Sequence, residues 1–167
     1  MASDQRPLYT AEVLRDIHAR SHENLKQLLE HCRAFSEDEL AREFEGFGDP
    51  SIRLQVHHEV AAEKYWIGVI QGRMDVDENQ AEYSTIDSLE RYRAEVFAAT
   101  EAYLEGASPE ELSTPRPMVT WGGDERVLVP ALIVMRTQVH LYHHQGKILA
   151  MCRLLGRPGE GMNFSLF

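Results

Sequence analysis

The chain has 167 residues, of which 43% are hydrophobic and 26% are charged. This length and balance predict one soluble domain, residues 1–167, that is long enough to bury a substantial core. The formal net charge of −10, from 27 acids against 17 Lys and Arg, argues against a basic surface of the kind that binds nucleic-acid phosphates. We therefore expect no nucleic-acid partner.

Two further features bear on the compartment. The N-terminal segment lacks the basic and then apolar order of a signal peptide, and no apolar run reaches the roughly 20 residues that span a bilayer. We expect a cytoplasmic protein with no membrane partner. Cys32 and Cys152 lie in helical patterns without a CxxC motif, so we expect both to be core residues in a reducing compartment.

The first half of the chain predicts two long helices. Apolar residues recur at helical spacing over residues 10–33, and a capping box that begins at Ser36 predicts a short turn of helix. Asp49 as N-cap, followed by Pro50, predicts the start of the second long helix, which ends near Gly72. A polar connection then runs through Asp75, Asp77, Glu78 and Asn79.

The second half predicts two more long helices. Ser84 with Asp87 starts one that stops at Gly106, and Ser108 opens another short helical turn. The segment 118–129 is either a small hairpin or an irregular crossover around a Gly-Gly pair.

The last helix begins at Pro130 and runs to Leu155, where Gly156 and Pro158 close it. Four long amphipathic helices predict an all-α fold, a four-helix bundle. The long connections between the first and second and between the third and fourth helices allow a topology other than simple up-and-down.

The last helix contains a histidine pair with metal-ligand spacing. His140 and His144 are four residues apart, so they lie one turn apart on one helix face, beside mostly apolar neighbours. A metal ion needs at least a third protein ligand, and the second long helix offers His57 and His58. The pattern predicts a three-histidine site between two helices.

Two segments resemble motifs of the DinB/YfiT-like family. Residues 51–66 contain Ser-Ile-Arg and then His58, Ala62, Glu63 and Trp66, similar to that family's "SIR…H…AE..W" helix. Residues 140–156 resemble its "H..HH.GQI…LR.LG" helix. This chain departs from the second motif at two flanking positions, where Gln145 replaces an Arg and Lys147 replaces a Gln.

The resemblance implies a four-helix bundle that binds a divalent metal, zinc or nickel, through His58, His140 and His144. Characterised relatives are metal-dependent transferases that use low-molecular-weight thiols, maleylpyruvate isomerases or hydrolases. The resemblance therefore implies a thiol transferase or hydrolase that acts on a small molecule. Three protein ligands leave one coordination position of the metal ion open. The alternative is a non-catalytic, metal-stabilised dimeric bundle with a binding or stress-related role, which predicts a filled coordination sphere and no accessible pocket.

The choice between the adjacent histidines rests on helix faces. His58 shares its face with Leu54, Ala62 and Tyr65, which we interpret as the inward face. We place His57 on the polar side with Arg53 and Lys64.

Other polar candidates receive different interpretations. His18 and His22 form a second pair four apart, which we interpret as flank residues near the solvated boundary. His143 is offset around the helix and is expected to line the pocket or a subunit interface. For Glu63 a surface or interface salt bridge is favoured over a role in orienting a metal ligand.

Several large apolar residues bear on packing and assembly. Tyr65, Trp66 and Trp121 are expected to be core aromatics rather than catalytic groups. The helices carry more apolar positions than one stripe requires, so we expect a homodimer through bundle faces. The surplus positions include Trp66, Val69, Phe97 and Met135.

Overall fold

The computed structural model describes residues 8–74 and 79–166. Its four long helices are α1 (Ala11–Cys32), α3 (Ile52–Ile70), α4 (Ile86–Gly106) and α6 (Pro130–Leu154). Two short helices, α2 (Glu37–Ala41) and α5 (Pro109–Ser113), and a two-stranded antiparallel sheet, β1 (Arg116–Val119) with β2 (Glu125–Leu128), fill the connections. The predicted all-α class is confirmed. The polar connection predicted at Asp75, Asp77 and Glu78 lies outside the described residues.

Two helix starts differ from the prediction because a hydroxyl, and not the residue expected, caps each of them. The Ser51 side chain accepts a hydrogen bond from the Leu54 N–H at 3.3 Å, so α3 begins at Ile52 and Asp49 and Pro50 precede it. The start of α4 is likewise shifted by one position, from Ser84 to Thr85, which forms a capping box with Ser88. Both hydroxyls satisfy a backbone donor that the first turn leaves unpaired.

The long helices pack in a ring in which chain neighbours are not always spatial neighbours. α1 packs against α4 and α6, and α3 packs against the same two helices. α1 and α3 therefore occupy opposite corners of the bundle. The connections from α1 to α3 and from α4 to α6 cross between corners, as the long loops allow.

The core consists of two apolar clusters along the bundle. One contains the C-terminal half of α1, the first half of α3 and the second half of α6; the other contains Leu14, Leu104 and the start of α6. Between them, successive turns of the long helices carry buried polar residues. These are His18, His22, Glu63, Thr100, Thr137 and Gln138. A polar layer thus crosses the middle of the bundle.

The hairpin alternative for the segment before α6 is the correct one. The strands pair from Arg116 with Leu128 to Val119 with Glu125. Trp121 lies in the turn between them, 59% exposed, so its prediction as a core aromatic is wrong. Its backbone N–H donates to the Tyr65 hydroxyl at 2.6 Å, which ties the turn to α3.

The residues proposed for a dimer face are distributed unevenly. Val69 is buried in the chain's own core, whereas Met135 is exposed on α6 beside Leu132 and Val139. Val69 is therefore not surplus, because intrachain packing already covers it. The homodimer stays a prediction, which a light-scattering mass near the 19.1 kDa of one chain would contradict.

Two further expectations concern the cysteines and membrane-spanning helices. Cys32 and Cys152 are both buried free thiols, as predicted. In the part of the chain that the structure describes, none of the helices has the length and apolar character needed to cross a membrane.

Candidate metal centre

The structure brings His58 of α3 together with His140 and His144 of α6. One ring nitrogen from each lies within 4.8 Å of the others, and the Nε2 atoms of His140 and His144 are 3.1 Å apart. We call these three residues the outer histidine cluster. Two imidazole nitrogens at this separation on adjacent turns suit ligation of one ion.

The proton on His144 is placed by Gln55. His144 Nδ1 donates to Gln55 Oε1. The amide cannot be reversed without loss, because its nitrogen donates to the backbone carbonyls of Phe47 and Asp49. With its proton on Nδ1, a neutral His144 presents the Nε2 lone pair toward His140. This is the tautomer that metal binding needs.

His58 has an orienting partner as well. Its Nδ1 lies 3.4 Å from Asp49 Oδ2, so a proton on Nδ1 faces a carboxylate and leaves Nε2 as the free nitrogen. A carboxylate behind a ligating histidine fixes the ring and raises its basicity. The loop before α3 therefore supports two of the three rings, through the Asp49 side chain and the Asp49 carbonyl.

The α6 pair is neutral at physiological pH. Burial and then the electrostatic influence of His58 lower the pKa of His140 to about 4. Burial, followed by His140 and His58, lowers the pKa of His144 to about 3. Because the neutral imidazole is the ligand, protons do not compete for these nitrogens near pH 7. The donor set thus fits a divalent ion.

An aromatic cleft of about 510 Å³ opens beside the cluster. Its lining residues are His58, Ala61, Ala62, Tyr65, Trp66, Trp121, Arg136 and His140. His140 is half-buried, so a small molecule in the cleft reaches the ring directly. Tyr65 and Trp66 are partly buried and pack against the second apolar cluster, as expected of core aromatics, and they also line this cleft together with Trp121.

The neighbouring histidines lie elsewhere. His57 is buried against Tyr83 and Tyr92, with ring centroids 5.1 and 5.6 Å away. The face assignment was therefore reversed: His57 points into the core, and His58 lies on a half-exposed face with Leu54 and Tyr65. His143 is exposed and does not line the cleft.

A second group close enough to hold an ion lies in the polar layer. His18 Nε2 and His22 Nε2 each lie 2.9 Å from a different oxygen of Glu63, and all three residues are at most 2% exposed. We call these residues the buried His–Glu cluster. Placing the histidine pair at the solvated flank and Glu63 in a surface salt bridge was wrong, because these residues bond to one another across the bundle.

The hydrogen bonds of the buried His–Glu cluster use the atoms that a metal needs. His18 Nδ1 lies 2.8 Å from Glu101 Oε1, so both nitrogens of His18 face carboxylates and both donate, which makes the ring an imidazolium. Thr100 Oγ1 donates to Glu63 Oε1 at 2.7 Å. His22 Nδ1 faces the Arg93 guanidinium at 3.4 Å. Since guanidinium only donates, Nδ1 of His22 accepts and the proton lies on Nε2, toward Glu63.

The directions of the pKa shifts of His18 and Glu63 agree with an ion pair. Burial lowers the pKa of His18, but hydrogen bonds and charges from Glu63 and Glu101 outweigh it and the net shift is upward. Burial raises the pKa of Glu63, and His22 and His18 more than reverse this, so it lies well below its usual value. Glu63 is therefore ionised and His18 charged.

Sequence reasoning missed three residues of the outer site. Gln55 and Asp49 act on the rings from behind, and neither has a spacing that distinguishes it from a surface residue. Arg136 precedes His140 by four residues, so the same one-turn argument that paired the histidines places it on their face. That signal was present in the sequence.

A four-helix bundle with three convergent histidines beside an open cleft defines the class, a helical-bundle protein with a candidate metal centre. The chain belongs to the DinB family, whose pattern matches residues 15–167. A crystal structure of a conserved protein from Enterococcus faecalis has the same fold, with a TM-score of 0.66 at 15% identity, covering 90% of this chain and 99% of that one. No curated protein matches the chain.

Proposed function

We propose that the protein is a metal-dependent enzyme. It either transfers a low-molecular-weight thiol to a small electrophile or hydrolyses that electrophile. His58, His140 and His144 hold the ion, zinc or nickel. The observation that carries the proposal is the pair of neutral imidazoles 3.1 Å apart at the edge of a cleft that a small molecule can enter. An accessible cleft supports this function over a purely structural ion, which needs no opening.

The chain's own residues supply positioning. Gln55 and Asp49 hold His144 and His58 in the required orientation before any ligand arrives, which reduces reorganisation during reaction. Tyr65, Trp66 and Trp121 provide apolar walls that limit water around the substrate. A divalent ion bound by such rings lowers the pKa of a thiol or water and polarises an electrophilic centre.

The test compares two adjacent histidines. Wild type, His144→Ala and His143→Ala are loaded with zinc or nickel and assayed for conjugation of cysteine or glutathione to 1-chloro-2,4-dinitrobenzene and for ester hydrolysis. We expect wild type and His143→Ala to turn over, because His143 is exposed and outside the cluster. His144→Ala should lose both the ion and the turnover.

Thermal melting with and without chelator separates catalysis from a structural role. Four amphipathic helices supply most of the stability, so we expect chelation to remove turnover with only a small change in melting temperature. A large drop in melting temperature on chelation, with no turnover under any thiol tested, would contradict the enzyme proposal and favour a metal-stabilised bundle.

A further inference from the structure

The aromatic cleft contains one fixed positive charge and no acid. Arg136 is its only Lys or Arg side chain, and none of its lining residues is Asp or Glu, in a chain with 27 acids. Within residues 8–74 and 79–166, Arg136 makes no ion pair and no hydrogen bond. Its guanidinium carbon lies 4.8 Å from the centroid of the Trp66 ring, a contact that positions the group while leaving its N–H donors free.

Arg136 differs in this respect from six other arginines of the chain. Arg15, Arg20, Arg33, Arg93, Arg116 and Arg157 each pair with a carboxylate. A planar guanidinium with free donors suits a carboxylate, which it can bind through two parallel hydrogen bonds. The wall around it is made of Tyr65, Trp66 and Trp121, which suits a flat apolar body.

We propose that Arg136 binds the carboxylate of the substrate, so that the protein acts on small, flat, apolar electrophiles that carry one carboxylate. Arg136 and His140 are one helical turn apart, about 6 Å along the axis. Both side chains line the same cleft, so a carboxylate bound by Arg136 lies beside the outer histidine cluster. The proposal rests on the proposed function for the reaction, but the binding of the anion does not depend on the ion.

The chain carries its own probe for this binding. Its two tryptophans, Trp66 and Trp121, both line the cleft, so their fluorescence reports occupancy. Benzoate and its neutral analogue benzamide are titrated into metal-free protein at pH 7. We expect benzoate to bind about tenfold more tightly than benzamide, the size of effect that a charge-assisted hydrogen bond gives.

Three variants identify the source of the preference. Arg136→Gln should bind benzoate and benzamide equally, and Arg136→Lys should keep part of the preference because it keeps the charge without the two-pronged geometry. Arg42→Gln is the matched control, since Arg42 also lies over an aromatic ring, 5.4 Å from Phe44, but outside the cleft. It should behave as wild type. Equal binding by wild type, or a preference that survives Arg136→Gln, overturns the proposal.

Many small thiols also carry a carboxylate. A second experiment therefore tests whether Arg136 binds the carboxylate of the electrophile or that of the thiol. Zinc-loaded wild type and Arg136→Gln are titrated with 3-mercaptopropionate and with neutral 2-mercaptoethanol. We expect the substitution to leave the ratio of the two affinities unchanged. If it weakens 3-mercaptopropionate alone while benzoate binding stays intact, Arg136 serves the thiol and the proposal is wrong.

Zinc loading of the same variants distinguishes a failure of this inference from a failure of the proposed function. Arg136→Gln is expected to bind zinc as wild type does, because Arg136 is not a ligand. Normal zinc binding without a benzoate preference would contradict this inference and leave the proposed function standing. A benzoate preference in protein that binds no zinc would contradict the proposed function alone.

Discussion

Two histidine pairs with the same four-residue spacing lie in this bundle, and they differ in what faces the Nε2 atoms of their rings, which is another imidazole nitrogen in one pair and the Glu63 carboxylate in the other. In the outer histidine cluster the partners behind His144 and His58 are the Gln55 carbonyl oxygen and the Asp49 carboxylate, both acceptors. Each holds a proton on Nδ1 and leaves Nε2 as a lone pair. In the buried His–Glu cluster the protons already point at Glu63.

The comparison shows that spacing alone does not define a metal site. Burial and the surrounding charges decide whether two imidazoles one turn apart keep lone pairs or protons. The α6 pair has pKa values of about 4 and about 3, whereas the pKa of His18 is raised by two carboxylates. One pair is therefore suited to binding a cation, and the other already contains one as an imidazolium.

The largest expected effect comes from breaking the buried His–Glu cluster. Glu63→Gln leaves the His18 charge with one carboxylate partner and turns an amide N–H toward an imidazole N–H. Removing one member of a buried ion pair costs about 3–5 kcal/mol, and we expect a loss of free energy of unfolding in that range by urea denaturation.

Two controls compare this loss with other positions. Glu101→Gln should cost about 1 kcal/mol, because Glu101 is partly exposed. His140→Gln in metal-free protein should cost about 1 kcal/mol or less, because His140 is half-buried and without a charge partner. A Glu63→Gln variant as stable as wild type would show that the buried cluster is not an ion pair.

A smaller effect is expected from the residue that sets the tautomer of His144. Gln55→Leu removes the acceptor behind Nδ1, so the proton is free to move to Nε2 and block ligation. Loss of such an outer partner typically lowers metal affinity about 10–100-fold. Competition with a coloured zinc chelator measures this, with Gln138→Leu, a buried glutamine of the same helix bundle outside both clusters, as the control. Unchanged affinity in Gln55→Leu would remove Gln55 from the site.

The smallest expected effect is a change in the pH dependence of stability. Because the pKa of His18 is higher in the folded protein than its usual 6.5, its contribution is complete below about pH 6.5 and is lost as the pH rises through the folded value. Glu63, whose pKa is lowered from 4.5, contributes above about pH 4.5 and loses that contribution on acidification.

Urea unfolding of metal-free protein across this range measures the His18 contribution. We expect wild-type stability to fall above pH 6.5 and His18→Gln to show a flatter profile there. Identical slopes for the two proteins between pH 6.5 and 9 would mean that His18 is not charged in the folded state.

The sequence predicted the helical framework well because helix caps and apolar periodicity are local signals. Thr10, Ser36, Gly106 and Pro130 mark boundaries that the structure keeps or shifts by one residue. The convergence of His140 and His144 with a histidine of α3 followed from the one-turn spacing together with the family resemblance. These features need no knowledge of which helices are neighbours.

The rest depends on packing that the sequence does not contain. The bond from His18 and His22 to Glu63 joins opposite corners of the bundle, so no pattern within one helix predicts it. His57 was placed on the wrong face because Arg53 and Lys64 nearby are long enough to extend from a partly buried face. Gln55 likewise shows its role only when the loop at Phe47 and Asp49 is folded over α3.

The number of ions per chain tests the difference between the two clusters most directly. Protein without a histidine tag is saturated with zinc, freed of excess metal and measured by elemental analysis, beside the double variant His140→Gln, His144→Gln. We expect about one zinc ion per wild-type chain and none in the variant. About two ions per chain, or zinc retained by the variant, would place an ion at His18, His22 and Glu63 and contradict the account.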